Sequence, residues 1–210
     1  MKKNSIVKDA LILFCITIIA GFALGAVHEI TLEPIAAAEA EAQQEAYKTV
    51  FPDASEFLDL PDFSTEDAAE VLADAGYGDD TIENCVQAVD ESGNLLGYVI
   101  NATDPNSYGG DVTLSLGVTL DGTVNGYSIT EINDTAGLGM KAKEESFSSQ
   151  YAGKQVEEFV VTKTGATSEN EIDAISGATI SSNAVTNAVN AGLVYYRYLL
   201  DLTGGELLSE

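Results

Sequence analysis

The spacing of apolar residues changes along this chain, and each change marks a different kind of element. Residues 10–27 carry no charge, and at about 1.5 Å per helical residue they reach about 27 Å, close to the ~30 Å hydrocarbon core of a bilayer. Lys2, Lys3 and Lys8 precede this run and Glu29 and Glu33 follow it, so the positive-inside rule puts residues 1–9 in the cytoplasm and the rest outside. Residues 33–50, rich in Ala, Glu and Gln, read as helix up to Phe51-Pro52. Ser64-Thr65-Glu66-Asp67 has the form of a capped helix start, with a short helix to about Ala75 and an exit through Gly76-Tyr77-Gly78. Residues 82–89 and 95–102 read as strands around Ser92-Gly93. Strict alternation follows: Val112, Leu114, Leu116, Val118 and Leu120 interleave with Thr113, Ser115, Gly117 and Thr119. Asp121-Gly122 then signals a two-residue type I′ hairpin turn, which sets Leu116 opposite Tyr127 and Leu114 opposite Ile129. In residues 182–200 the step changes to three and four: Val185, Ala188, Val189, Gly192, Tyr196 and Leu199 share one face, with Asn183, Asn187, Asn190 and Arg197 elsewhere.

These elements predict an α+β fold, an antiparallel sheet with packed helices on its apolar face, plus one N-terminal transmembrane helix. The segments expected are 1–9 in the cytoplasm, a span at 10–27, an acidic and helical extracytoplasmic lead-in at 28–94, the main domain at 95–202 and a tail at 203–210. A cleaved signal peptide is the rival reading of the N-terminus, since Ala36-Ala37-Ala38 offers a cleavage site. The apolar run is longer than the usual ~7–15 residues and stops well short of that site, which favours an anchor.

Composition narrows the function. With 45% hydrophobic residues the chain can bury a core, and 34 acidic against 9 basic residues give a net charge of -25. That balance excludes nucleic acid as a partner of the folded domain. No Lys or Arg stands between Thr49 and Met140, so docking through this half would need a basic partner and weaken with salt. Cys15 lies in the apolar run and Cys85 in a strand, which leaves no disulfide framework. A single histidine, His28, removes Ser-His-Asp catalysis and His-based metal or haem sites. The carboxylates show no paired spacing above the acidic background, and neither catalytic nor metal-ligating residues are expected.

The candidate chemistry sits at the start of the last helix, in Asp173-Ala174-Ile175-Ser176-Gly177-Ala178-Thr179. A helix start offers unpaired N–H groups and a positive dipole end, and Gly177 and Ala178 carry no bulk to keep an anionic group away. A phosphate fits such a place, and so does the plain alternative that Ser and Thr here only cap a helix. The run Asp-x-x-Ser-Gly-Ala-Thr resembles the flavinylation motif of the FMN-binding domain found in the G subunit of the Rnf electron-transport complex and in the C subunit of the Na+-translocating NADH:quinone reductase. All five defining letters match. The resemblance implies that Thr179 is esterified to the phosphate of FMN, a covalent flavin on a phosphorylated threonine. It also implies that Asp173 is recognised by a Mg2+-dependent flavin transferase, with Ser176, Gly177 and Ala178 beside the cofactor. Asp134-Thr135-Ala136-Gly137-Leu138-Gly139 resembles the Glu-Thr-Pro-Gly-Leu-Gly loop of the same family, with Asp for Glu and Ala for Pro. Thr135, Leu138 and Gly139 are the cofactor contacts it implies. Tyr108-Gly109-Gly110-Asp111 also resembles a family segment, and the likeness covers about residues 95–200.

The function implied is that of a membrane-anchored, extracytoplasmic electron carrier in the bacterial cytoplasmic membrane. It would be part of an Rnf-type, ion-translocating ferredoxin:NAD+ oxidoreductase, with the other membrane subunits and the flavin transferase as partners. Catalysis would belong to the complex, since the flavin carries the redox chemistry. Two alternatives stay open. One is the corresponding flavin subunit of the quinone reductase, or a free-standing extracellular flavin domain; the other is an anchored interaction module without flavin. Thr164-Gly165-Ala166-Thr167 repeats the motif's last letters, but Val161 stands where the motif has Asp173 and Ser168-Glu169-Asn170-Glu171 follows it. Extra negative charge there opposes an anionic phosphate, so Thr167 is expected to stay unmodified.

Overall fold

The computed structural model describes residues 3–61 and 63–202; the expected tail at 203–210 lies outside the described residues. Residues 1–42 and 43–210 are separate compact units. The first consists of helix α1 (Lys3–Val50) as far as residue 42. The sequence pattern predicts helix at 10–27 and again at 33–50; the structure has one helix through both, with Pro34 inside it. Proline removes one donor, and the remaining ladder carries the helix past it. Ile12, Ile19, Phe22 and Leu24 are all exposed. An all-round apolar helix is a poor fit to water and a good fit to lipid, and α1 is long and apolar enough to cross a membrane.

The second unit begins with the last turns of α1. Its sheet is antiparallel throughout and runs in chain order: β1 (Glu56–Asp59), β2 (Thr81–Val89), β3 (Leu95–Ser107), β4 (Gly110–Thr119) and β5 (Val124–Ile132). Between β1 and β2 lies α2 (Thr65–Asp74), capped as its sequence suggests: Ser64 Oγ accepts from the Asp67 N–H at 3.2 Å. β2 pairs with β3 along its length. Residues 43–94 belong to the same compact unit, with Leu72, Ile82 and Cys85 in the core they share with the later elements.

Leu116 does face Tyr127, and Leu114 does face Ile129. The turn that produces this register differs from the expected two-residue loop. The Thr119 N–H donates to Thr123 O at 2.9 Å and the Gly122 N–H to Thr119 O at 3.0 Å, with Gly122 at φ +85°. That is a three-residue loop closed by a left-handed glycine. A register shift between Gly117 and Val118 then restores the pairing, so one bulge compensates the longer loop.

The apolar face of the sheet is covered by α4 (Thr179–Leu202), which packs on β3 and β4. Val112, Leu114, Leu116 and Val118 are fully buried under it. The opposite face, which carries the polar residues of the alternation, is covered in part by the end of α1. Tyr47, Val50 and Phe51 form a second core there with Val86, Ala88 and Val99. Gly117 makes room, since a Cβ on it would lie 2.8 Å from Val50 Cβ. Ser115, Asn101, Asn84 and Tyr47 join in a hydrogen-bonded chain across the face, with Asn101 Nδ2 donating to the Tyr47 hydroxyl at 2.6 Å. This accounts for the buried polar residues of the alternation.

After β5 come a 3-10 turn (Gly139–Lys143), the single-turn α3 (Glu145–Ser148) and two short parallel strands, β6 (Val160–Thr162) and β7 (Glu171–Asp173). Asn190, assigned above to the polar side of the last helix, is buried. Its side-chain amide accepts from the Phe159 N–H at 2.8 Å and donates to Phe159 O at 2.9 Å. It replaces a missing strand partner at the start of β6, which is why a polar residue is buried there.

Candidate functional site

Two loops that are distant in sequence meet at the N-terminus of α4. The Asp134–Gly139 loop follows β5, and the Ser176–Thr179 turn follows β7. Gly177 turns the chain at φ +79°, a conformation open to glycine at little steric cost. The Ala178 N–H closes onto Ile175 O at 2.9 Å, and the first hydrogen bond of the helix runs from the Ser182 N–H to Ala178 O at 3.0 Å. The N–H groups of Thr179, Ile180 and Ser181 therefore lie ahead of the helical ladder. Ser182, which is fully buried, secures the turn with its hydroxyl: it donates to Ala178 O at 2.9 Å and accepts from the Ile175 N–H at 2.9 Å. So Thr179 is not the cap. Among the described residues none hydrogen-bonds its hydroxyl.

The other loop is held against this start by the buried Asp134. Its carboxylate accepts from Ser107 Oγ at 2.8 Å and from the Gly109 N–H at 2.6 Å, tying β3, the β3–β4 turn and the loop together. Gly139 is the point of closest approach. A Cβ on it would stand 2.6 Å from Asp134 Cβ, and nearer still to Asp134 Oδ2 and Ser181 Oγ.

Between the two loops is a cleft of about 580 Å³ lined by Thr135, Leu138, Gly139, Gly177, Ala178 and Thr179, together with Tyr108, Ile180 and Ser181. The first six are the residues singled out from sequence. Two others do not line it. Ser176 is exposed beside the turn. Asp173 lies at the end of β7, where its N–H and C=O pair with the Gln150 side chain at 2.7 and 3.3 Å and its Oδ1 accepts from the Ala166 N–H at 2.7 Å. Of the residues sequence reasoning left out, Ser181 could have been found from its place two residues into the helix, and Tyr108 from the Gly-rich segment it opens. Ile180 carries no such signal.

The lining suits an anionic, partly aromatic ligand. Three N–H groups and a helix dipole offer favourable electrostatics for a phosphate. Leu138, Tyr108 and Ile180, all exposed, offer apolar surface to a planar ring. The second Ser/Thr-Gly-Ala-Thr run is built differently. Glu171 Oε2 accepts from the N–H and the hydroxyl of Thr167 at 2.6 and 2.9 Å, and these bonds hold the Glu171 carboxyl below its usual range. Thr167 thus faces a carboxylate, where Thr179 faces open donors.

Residues 107–194 match the FMN-binding domain family, and residues 1–50 match the RnfG N-terminal region. The G subunit of the Na(+)-translocating ferredoxin:NAD(+) oxidoreductase complex of Acetobacterium woodii is 32% identical over 196 residues, covering 91% of this chain and 92% of that one. The chain belongs to the RnfG family. The G subunit of the ion-translocating oxidoreductase complex of Methanosarcina acetivorans agrees with this at 30% identity, over 91% of this chain and 95% of its own. The fold extends further, since the crystal structure of Shewanella oneidensis NqrC superposes with a TM-score of 0.50 at 20% identity, over 60% of this chain and 62% of that one. The RnfG membership and the expected α+β architecture with an N-terminal apolar helix therefore stand.

Proposed function

We propose that this RnfG-family chain is an electron carrier of an Rnf-type, ion-translocating ferredoxin:NAD+ oxidoreductase. It is anchored by α1, has its N-terminus in the cytoplasm, and works on the outer side of the membrane with FMN esterified through its phosphate to Thr179. The observation that carries the reading is the position of Thr179 at the cleft wall, its hydroxyl without a hydrogen-bond partner among the described residues and beside the three N–H groups that precede the helical ladder. Bound FMN supplies reversible electron transfer on its ring system. The chain's own work is to hold the phosphate at the start of α4, to leave room through Gly139 and Gly177, and to shelter the ring with Leu138 and Tyr108.

A covalent tether makes sense outside the cell, where free FMN is too dilute to refill an emptied site, because attachment makes binding independent of concentration. Threonine is a weak nucleophile without a neighbouring base, and the only histidine of the chain, His28, is within α1. A separate flavin transferase is therefore implied as partner, alongside the other membrane subunits; the motif resemblance adds that it is Mg2+-dependent and recognises Asp173.

The test is co-expression with such a transferase, followed by flavin fluorescence in denaturing gels and peptide mass spectrometry. Thr179→Ala should abolish covalent FMN, Thr167→Ala should leave it in place, and Asp173→Ala should strongly reduce it. FMN found on Thr167, or persisting in Thr179→Ala, would overturn the assignment.

A further inference from the structure

A second constellation lies away from the flavin cleft, where the α2–β2 loop meets β3 and α4. It uses none of the residues of the flavin reading. Asp80, the last residue before β2, is 7% exposed, and its Oδ1 is buried without a hydrogen-bond partner. Asp104 of β3 is 1% exposed. Its carboxylate accepts from the Asn106 N–H at 2.6 Å and from Asn187 Nδ2 of α4 at 3.0 Å. Both carboxylates line a cleft of about 270 Å³ together with Gly76, Tyr77, Gly78, Asp79, Asn106 and Asn187.

Among the described residues no Lys, Arg or His lines this cleft. The chain supplies no Lys or Arg between Thr49 and Met140. Burial, and after it the nearby Asp104 carboxylate, push the Asp80 carboxyl above its usual range, as expected for two buried acids with no counter-charge. Native proteins rarely leave a buried polar oxygen unpaired, and such an atom calls for a partner.

We propose that this cleft is a binding site for a hard divalent cation, Ca2+, held by the Asp80 and Asp104 carboxylates. The lining groups that can bind a cation are oxygens: the two buried carboxylates and the side-chain amides of Asn106 and Asn187. Such a set selects a hard ion over a transition metal. Donors drawn from a loop, a strand and a helix suit the irregular six- to eight-fold shell of Ca2+ better than the strict octahedron of Mg2+. Among the described residues no three Asp, Glu, His or Cys side chains converge as a metal cluster, so water completes the shell. The site then belongs with the weak extracellular ones, with Kd on the order of 10⁻⁴–10⁻³ M.

The experiment uses the purified full chain in detergent with Tb3+ as a luminescent Ca2+ analogue. The protein has no tryptophan, and the Tyr77 ring at the cleft is the nearby sensitiser. The expected result is a saturable, one-to-one Tb3+ signal displaced by millimolar Ca2+ but not by equal Mg2+. Its affinity should fall at least tenfold in both Asp80→Asn and Asp104→Asn, and stay unchanged in Glu91→Gln, which removes an exposed acid elsewhere. Asp80→Asn conserves shape and removes charge repulsion, so it should fold; circular dichroism checks this. A signal that Ca2+ does not displace, or one that survives Asp80→Asn with the same affinity, would overturn the proposal and leave a proton shared by the two carboxylates as the neutralising ion.

Discussion

Substituting alanine for Gly139 tests whether the flavin cleft is held open by the clasp around Asp134. The new methyl would stand 2.6 Å from Asp134 Cβ and closer to Asp134 Oδ2 and Ser181 Oγ. None of these atoms can swing aside freely: Asp134 is 8% and Ser181 1% exposed. If Asp134 rotates, it gives up the Ser107 and Gly109 hydrogen bonds, and bonds to a charged acceptor contribute about 1.5–3 kcal/mol each. If the backbone shifts instead, overpacking costs about 1–3 kcal/mol. The cheaper route decides, which gives a loss of about 1–3 kcal/mol, and at about 2–4 °C per kcal/mol for a domain of this size a Tm lower by about 2–12 °C. Gly137→Ala is the control. Gly137 has φ +76° and open space around a Cβ, so it carries only the left-handed cost of about 1–2 kcal/mol. Thermal unfolding of the full chain followed by circular dichroism, with covalent FMN yield measured in parallel, reads both. A Gly139→Ala protein with Tm within about 2 °C of wild type and a full flavin yield would refute the clasp.

Leu138→Asp should shift the flavin absorption or potential while FMN stays attached, because Leu138 lines the cleft and is exposed there; an unchanged spectrum and potential would place the ring elsewhere. Asn101→Leu should lower stability by about 2–3 kcal/mol in urea titration. It removes the donor to Tyr47 and the acceptor for Ser115 beneath the end of α1, and a loss under about 0.5 kcal/mol would show that this buried network does not secure the helix end.

What could be read from the sequence was what local periodicity encodes. The alternation from Val112 to Leu120 identified the core-facing residues of β4 and even their partners in β5, because a strand buried on one face tolerates no slip of one residue. The Ser64 cap and the start of α4 were legible for the same reason, since caps and turns are decided within a few residues. The site was half legible: the Gly-Ala-Thr turn and the Gly-Leu-Gly loop announce themselves, but only the fold shows that they share one cleft. Ser176 and Asp173 fall outside it because Gly177 reverses the chain direction between them and Thr179. Polar residues were the least legible. Asn190 reads as a surface residue until β6 is found to lack a partner beside it, and Ser115 and Asn101 read as one polar face until Tyr47 closes over them. Asp80 and Asp104 are ordinary acids among 34. A polar side chain has a burial preference set by the partner it meets, and in each of these cases that partner comes from another element, so the energy that decides its place is nowhere in the surrounding sequence.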